Sequence, residues 1–217
     1  MSYHYSKNAG LPSTRSTGFT LVELLVSISI VALILTTILS SQTKYTDSLA
    51  LSNLANEVSL TISQAQAYGS GVREFSPGSG EFSASYGLTF SLLGSGSNMA
   101  YLSFADRNGN KVYDGDWSCP IGGASECLEK VNISRDNYID ELCRVRNNPV
   151  NPYQCEIGRI DISFTRPNLE AQIKFFNQSG NPVEDNPEFI GARISVRSPG
   201  GANRSIIVYY TGQVSVQ

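Results

Sequence analysis

The chain has 217 residues, with 16 Lys and Arg against 19 Asp and Glu, and a formal net charge of −3. That mildly acidic balance does not advertise nucleic-acid binding through bulk charge. Its only histidine is His4, so the chain beyond it offers none for a histidine-based triad or for most zinc hydrolase sites. No glycine-rich phosphate loop precedes a Lys-Ser or Lys-Thr pair, and we expect no enzyme. The length suits one anchored helix plus one globular domain, and the abundance of Gly, Ser, Asn and Tyr suits an exported, β-rich head.

Residues 1–18 are polar, carry Lys7 and Arg15, and contain no acid. From Phe19 to Leu39 the only ionisable residue is Glu23. As a helix that run spans roughly 31 Å, close to the hydrocarbon thickness of a bilayer. A carboxylate inside such a run is expensive in lipid and marks a functional pairing. Beyond Leu39 the residues Ser40-Ser41-Gln42-Thr43-Lys44 form no Ala-x-Ala site, which argues against a cleaved secretory signal. The basic residues ahead of the run place the N-terminus inside and the C-terminus outside.

The residues Gly18-Phe19-Thr20-Leu21-Val22-Glu23 resemble the class III leader of type IV pilins and of type II secretion pseudopilins. The resemblance implies cleavage after Gly18 by a membrane prepilin peptidase, and N-methylation of Phe19 as the new first residue. It implies pairing of Glu23 with the Phe19 amine of a neighbouring subunit in a filament. It further implies other pilin subunits and an inner-membrane assembly platform as partners. The location is then single-pass in the inner (cytoplasmic) membrane, followed by an extracellular or periplasmic filament. Physical reasoning agrees: an unpaired buried charge is costly, so a Glu23–ammonium pair rewards one axial register over others.

From residue 43 to 68 the apolar residues Leu51, Leu54, Ala55, Val58, Ile62 and Ala65 recur at helical spacing and make one buried stripe. Gly69-Ser70-Gly71 ends this helix. Strands follow by alternation: Tyr86, Leu88, Phe90 and Leu92; Leu102 and Phe104; Ile160, Ile162 and Phe164; Ile173 and Phe175; Ile190, Ala192, Ile194 and Val196; then 205–210 and 213–217. Between residues 117 and 158 the chain reads as a largely irregular insertion, with a short helix around 136–144. The resulting layout is α+β: a leader at 1–18, a membrane or filament-core helix at 19–42, an amphipathic extension at 43–68, and a head at 69–217 whose antiparallel strands receive the helix.

Cys119, Cys127, Cys143 and Cys155 are too widely spaced for paired Cys-x-x-Cys zinc knuckles. An exported, even set favours two disulfides stapling the insertion. Three connectivities are open; the sequential Cys119–Cys127 and Cys143–Cys155 is preferred.

In the head, Asp106, Asn108 and Asn110 place oxygen ligands at alternate positions, and Asp114 or Asp116 could complete a cage for Ca²⁺. No cofactor is otherwise required. Two departures from an EF-hand stand out: Lys111 replaces the turn glycine and Trp117 the bidentate glutamate. The plainer reading is a polar turn between strands. Near the C-terminus Arg193, Arg197 and Arg204 cluster in sequence, with Arg159, Arg166 and Lys174 on strands nearby. The order of elements, with Phe104-Ala105-Asp106-Arg107-Asn108-Gly109-Asn110 and Ser195-Val196-Arg197-Ser198-Pro199-Gly200-Gly201, resembles H-type minor pseudopilins and minor pilins of DNA-uptake systems. That resemblance implies a phosphate grip by the arginines. The plainer alternative is a set of solvated, charged strand edges.

Overall fold

The computed structural model describes residues 18–71, 74–75, 78, 80, 82, 85–120, 125–184 and 186–217, except the side chains of 40, 41, 43 and 44. Residues 1–17 of the expected leader, with His4, Lys7 and Arg15, lie outside the described residues. One helix, α1, runs Leu21–Ser70 and crosses the boundary between two compact units, 1–43 and 44–217.

In the first unit, Leu21–Leu39 forms a helical span long and apolar enough to cross a membrane, with none of it buried. Its serine and threonine hydroxyls bond inwards to their own helix. The hydroxyls of Ser27 and Ser29 donate to the carbonyls of Glu23 and Leu25 at 2.7 and 2.8 Å. Those of Thr36 and Thr37 donate to Leu33 and Ile34, both at 2.8 Å. Such back-bonding satisfies a hydroxyl where no water is available.

The second unit joins the rest of α1 to two five-stranded antiparallel sheets. The strands are β1 (Ser85–Ser91), β2 (Ser97–Asp106), β3 (Cys127–Asn132), β4 (Tyr138–Arg146), β5 (Tyr153–Gln154), β6 (Ile157–Phe164), β7 (Ala171–Asn177), β8 (Phe189–Arg197), β9 (Asn203–Tyr209) and β10 (Val214–Val216). One sheet has the order β3-β2-β1-β6-β7 and the other β10-β9-β8-β4-β5. The expected stripe Leu51, Leu54, Ala55, Val58, Ile62 and Ala65 is buried. It shares one core with Leu88, Phe90, Ile160 and Ile162 of the first sheet and with Ala192, Ile194, Ile206 and Val208 of the second.

The end of α1 comes so close to β6 that a Cβ on Gly69 would lie 2.3 Å from the carbonyl oxygen of Phe164. On the outer face of the first sheet, Leu102 and Phe104 leave the main core and pack with Tyr113, against which Trp117 also rests. The described residues 107–120 therefore cover that face as a strap.

The stretch 117–158 corrects the sequence reading. It holds β3, β4 and β5, and residues 136–144 contribute to an interior strand rather than to a helix. A register shift between Ile139 and Glu141 supplies the physical reason. Ile139 and Leu142 pair with Val196 and Ile194, so both face the core although they are three residues apart. A β-bulge breaks the period of two and leaves a spacing that imitates a helix. The tight turn before β4 also lacks the expected signal, because Arg135 and Asp136 adopt φ values of 60° and 55° without any glycine.

Gly69→Ala places a methyl against strand backbone that cannot yield as a side chain would. We expect it to destabilise the full chain by about 1–3 kcal/mol. Thermal unfolding in detergent, followed by the loss of β-sheet circular dichroism, measures it.

Candidate functional site

Two regions collect the residues singled out from the sequence. At the start of α1, Thr20 precedes the first turn and its Oγ1 accepts the Glu23 N–H at 3.3 Å. Thr20-Leu21-Val22-Glu23 thus has the pattern of an N-terminal capping box, with the acid in the third helical position. Glu23 stands in the first turn, where the helix dipole favours a negative charge. Phe19 is 78% exposed just ahead of it. The structure thus brings Gly18, Phe19 and Glu23 to one helix end and adds Thr20, which the Thr-x-x-Glu spacing could have revealed.

In the strap, Asp106 closes β2 and is buried. Its Oδ1 accepts the N–H groups of Gly109 and Asn110 at 2.7 and 3.2 Å, and its Oδ2 that of Lys111 at 2.9 Å. Asn108 Oδ1 accepts the Asn110 N–H at 3.0 Å, and Asn110 Oδ1 the Val112 N–H at 2.9 Å. The side-chain amides of Asn108 and Asn110 donate to Asp114 Oδ2 at 2.7 and 2.6 Å. Asp106, Asn108, Asn110 and Asp114 therefore share one loop. Asp116 instead accepts the Ser118 N–H at 2.7 Å, and hydrogen bonds from Ser118 hold its carboxyl below the usual range. Lys111 takes φ 69°, the left-handed conformation that glycine provides at the turn of an EF-hand.

Sequence reasoning passed over two acids here. The buried Glu126 accepts the N–H of Arg107 at 3.2 Å and that of Asp114 at 3.1 Å, tying both limbs of the loop together. Asp161 on β6 has no exposed surface. It accepts Thr89 Oγ1 at 2.6 Å, the Tyr113 N–H at 3.0 Å and Arg159 Nε at 2.8 Å. Arg159 Nη2 completes the ion pair with Asp161 and also donates to the Tyr113 carbonyl. Burial pushes the Asp161 carboxyl up, while Arg159, Thr89 and the Tyr113 N–H pull it down. An acid inside an alternating apolar strand (Ile160-Asp161-Ile162) was the available signal.

Cys119 is joined to Cys127 and Cys143 to Cys155. Glu141 lies with Cys143 and Cys155 in a grouping that could suit a metal, but both sulfurs are spent in the disulfide. The C-terminal arginines do not share a face. Arg193 and Arg197 alternate on β8, whereas Arg204 on β9 stands opposite Val196, on the other side of the sheet. Arg193 Nη1 lies 3.4 Å from Glu141 Oε2, and Arg197 Nη2 lies 3.2 Å from Asp140 Oδ2. Arg193 also stacks over Tyr153.

Removing one partner of a buried ion pair strands the other. Arg159→Leu is expected to cost about 3 kcal/mol or more, read from urea unfolding of the full chain. Stability should also fall in alkali. Burial pushes the hydroxyls of Tyr101 and Tyr113 up to about 12, above the value of about 10 in an unfolded chain. The unfolded state then releases its protons first, so the stabilisation is complete below about pH 10 and lost as pH rises towards 12. Melting curves across that window, with tyrosinate absorbance in parallel, check the sign.

No curated protein and no solved structure matches the chain. Residues 13–39 match the family model described as the prokaryotic N-terminal methylation motif. That segment holds Gly18, Phe19, the Thr20 cap, Glu23 and the whole apolar span. The motif implies processing by prepilin peptidase and assembly with other pilins. With an exposed apolar helix and a disulfide-bonded α+β head, the chain carries a class III leader of the type IV pilin and pseudopilin kind.

Proposed function

We propose that this chain is a minor structural subunit of a type IV pilus-like filament, cut between Gly18 and Phe19 and methylated on the new Phe19 amine. The observation that carries this reading is the span Leu21–Leu39, apolar and wholly unburied, within the matched methylation motif. An apolar surface of that size needs a partner, and lipid before assembly and neighbouring helices afterwards are the two it can use. The core of the second unit is built without it. Glu23, capped at the helix start, supplies the one charge through which neighbours can set their axial register. The Lys7 and Arg15 residues ahead of the span support an N-terminus in the cytoplasm and a head outside. The resemblance of the Phe104–Asn110 segment to minor pseudopilins and minor pilins favours a minor over a major subunit. A secretion pseudopilus would use the same parts.

Mass spectrometry of protein from its native membranes should find a methylated Phe19 as the first residue; an intact Met1 terminus in every preparation would sink the reading. Gly18→Val should leave the precursor uncut. Glu23→Gln should be processed normally yet enter filaments poorly, with sheared filament yield as the measure.

A further inference from the structure

The Asp106 carboxylate is shielded from solvent, so its charge must be answered from within the protein. Three backbone N–H groups of its own loop supply hydrogen bonds. Lys111 supplies the charge, with Nζ 3.8 Å from Asp106 Oδ2. That ammonium also donates to Ser85 Oγ at 2.8 Å and to Thr165 Oγ1 at 3.0 Å, two hydroxyls that lie 2.6 Å apart. Asp106 ends β2, Ser85 begins β1 and Thr165 directly follows β6. The lysine therefore gathers the ends of three neighbouring strands.

Its cradle of one carboxylate and two hydroxyls is the hard oxygen set that otherwise attracts a metal cation. The backbone agrees, since a lysine held at φ 69° persists only where its surroundings determine it. On the other side of the loop, Oδ1 of Asn108, Oδ1 of Asn110 and Oδ2 of Asp114 are engaged by N–H donors of the loop itself.

We propose that Lys111 is the resident cation of this loop, a tethered ammonium that closes residues 106–116 without a metal ion. The inference stands apart from the filament reading. It is tested on the full chain in detergent by thermal melting, with EDTA, with millimolar CaCl₂ and with neither. The wild type should melt at one temperature in all three. Lys111→Met should melt lower by roughly 5 °C, and Lys111→Arg should recover most of that loss. A wild-type melting temperature that EDTA lowers or calcium raises would overturn the proposal, as would a Lys111→Met chain as stable as the wild type. If Lys111→Met does not fold, the double change Asp106→Asn with Lys111→Met decides. With both charges gone it should fold and melt above the single variant, and its failure to do so counts against the pairing.

Discussion

The second unit depends on the stripe that α1 presents between two sheets. Leu51, Leu54, Ala55, Val58, Ile62 and Ala65 enter one core with the inner residues of both sheets. Each fully buried large side chain there contributes about 1.5–3 kcal/mol of transfer free energy. Other contacts fit around that packing. Gly69 is a glycine because the helix ends against strand backbone, and Tyr101 reaches from the first sheet to share a hydrogen bond with Thr61 on the helix.

The outer face of the first sheet follows a different logic. Thr89, Asp161 and Arg159 face outwards beneath the strap, where an apolar face would be simpler to satisfy. Asp161 finds a donor on β1, one on the strap and two on Arg159. Leaving any of these unmade is costly, so the network permits few alternative positions of the strap. Glu126 restricts it again from β3's side, and the Cys119–Cys127 bridge closes it covalently. A mostly polar segment with few apolar contacts is thus held in place by directional bonds.

Much of this was readable from residue order, for reasons that particular residues make plain. The stripe of α1 and the alternation in β6 and β8 are periodic signals, and a periodic signal survives when one face is buried. The apolar span and its Glu23 were visible because lipid tolerates so few exceptions. The strand β4 was hidden because its bulge moved Ile139 and Leu142 to a helical spacing. Lys111 looked like a defect in a calcium loop, since sequence alone does not show that its side chain reaches Ser85 and Thr165. The arginines near the C-terminus looked like a cluster until the pairing of β8 with β9 put Arg204 on the opposite side. Sequence proximity says nothing about faces until the register is known.

The hydroxyls along the apolar span have a further consequence. Ser27, Ser29, Thr36 and Thr37 donate to carbonyls of their own helix, which satisfies each hydroxyl proton within the helix. Moving such a helix from hydrocarbon into a packed bundle of similar helices therefore leaves its polar groups in nearly the same state. The segment is close to indifferent between the two media. In the filament proposed above, its preference for one over the other would then rest on a single ionisable group, Glu23, and on whether that group meets an amine.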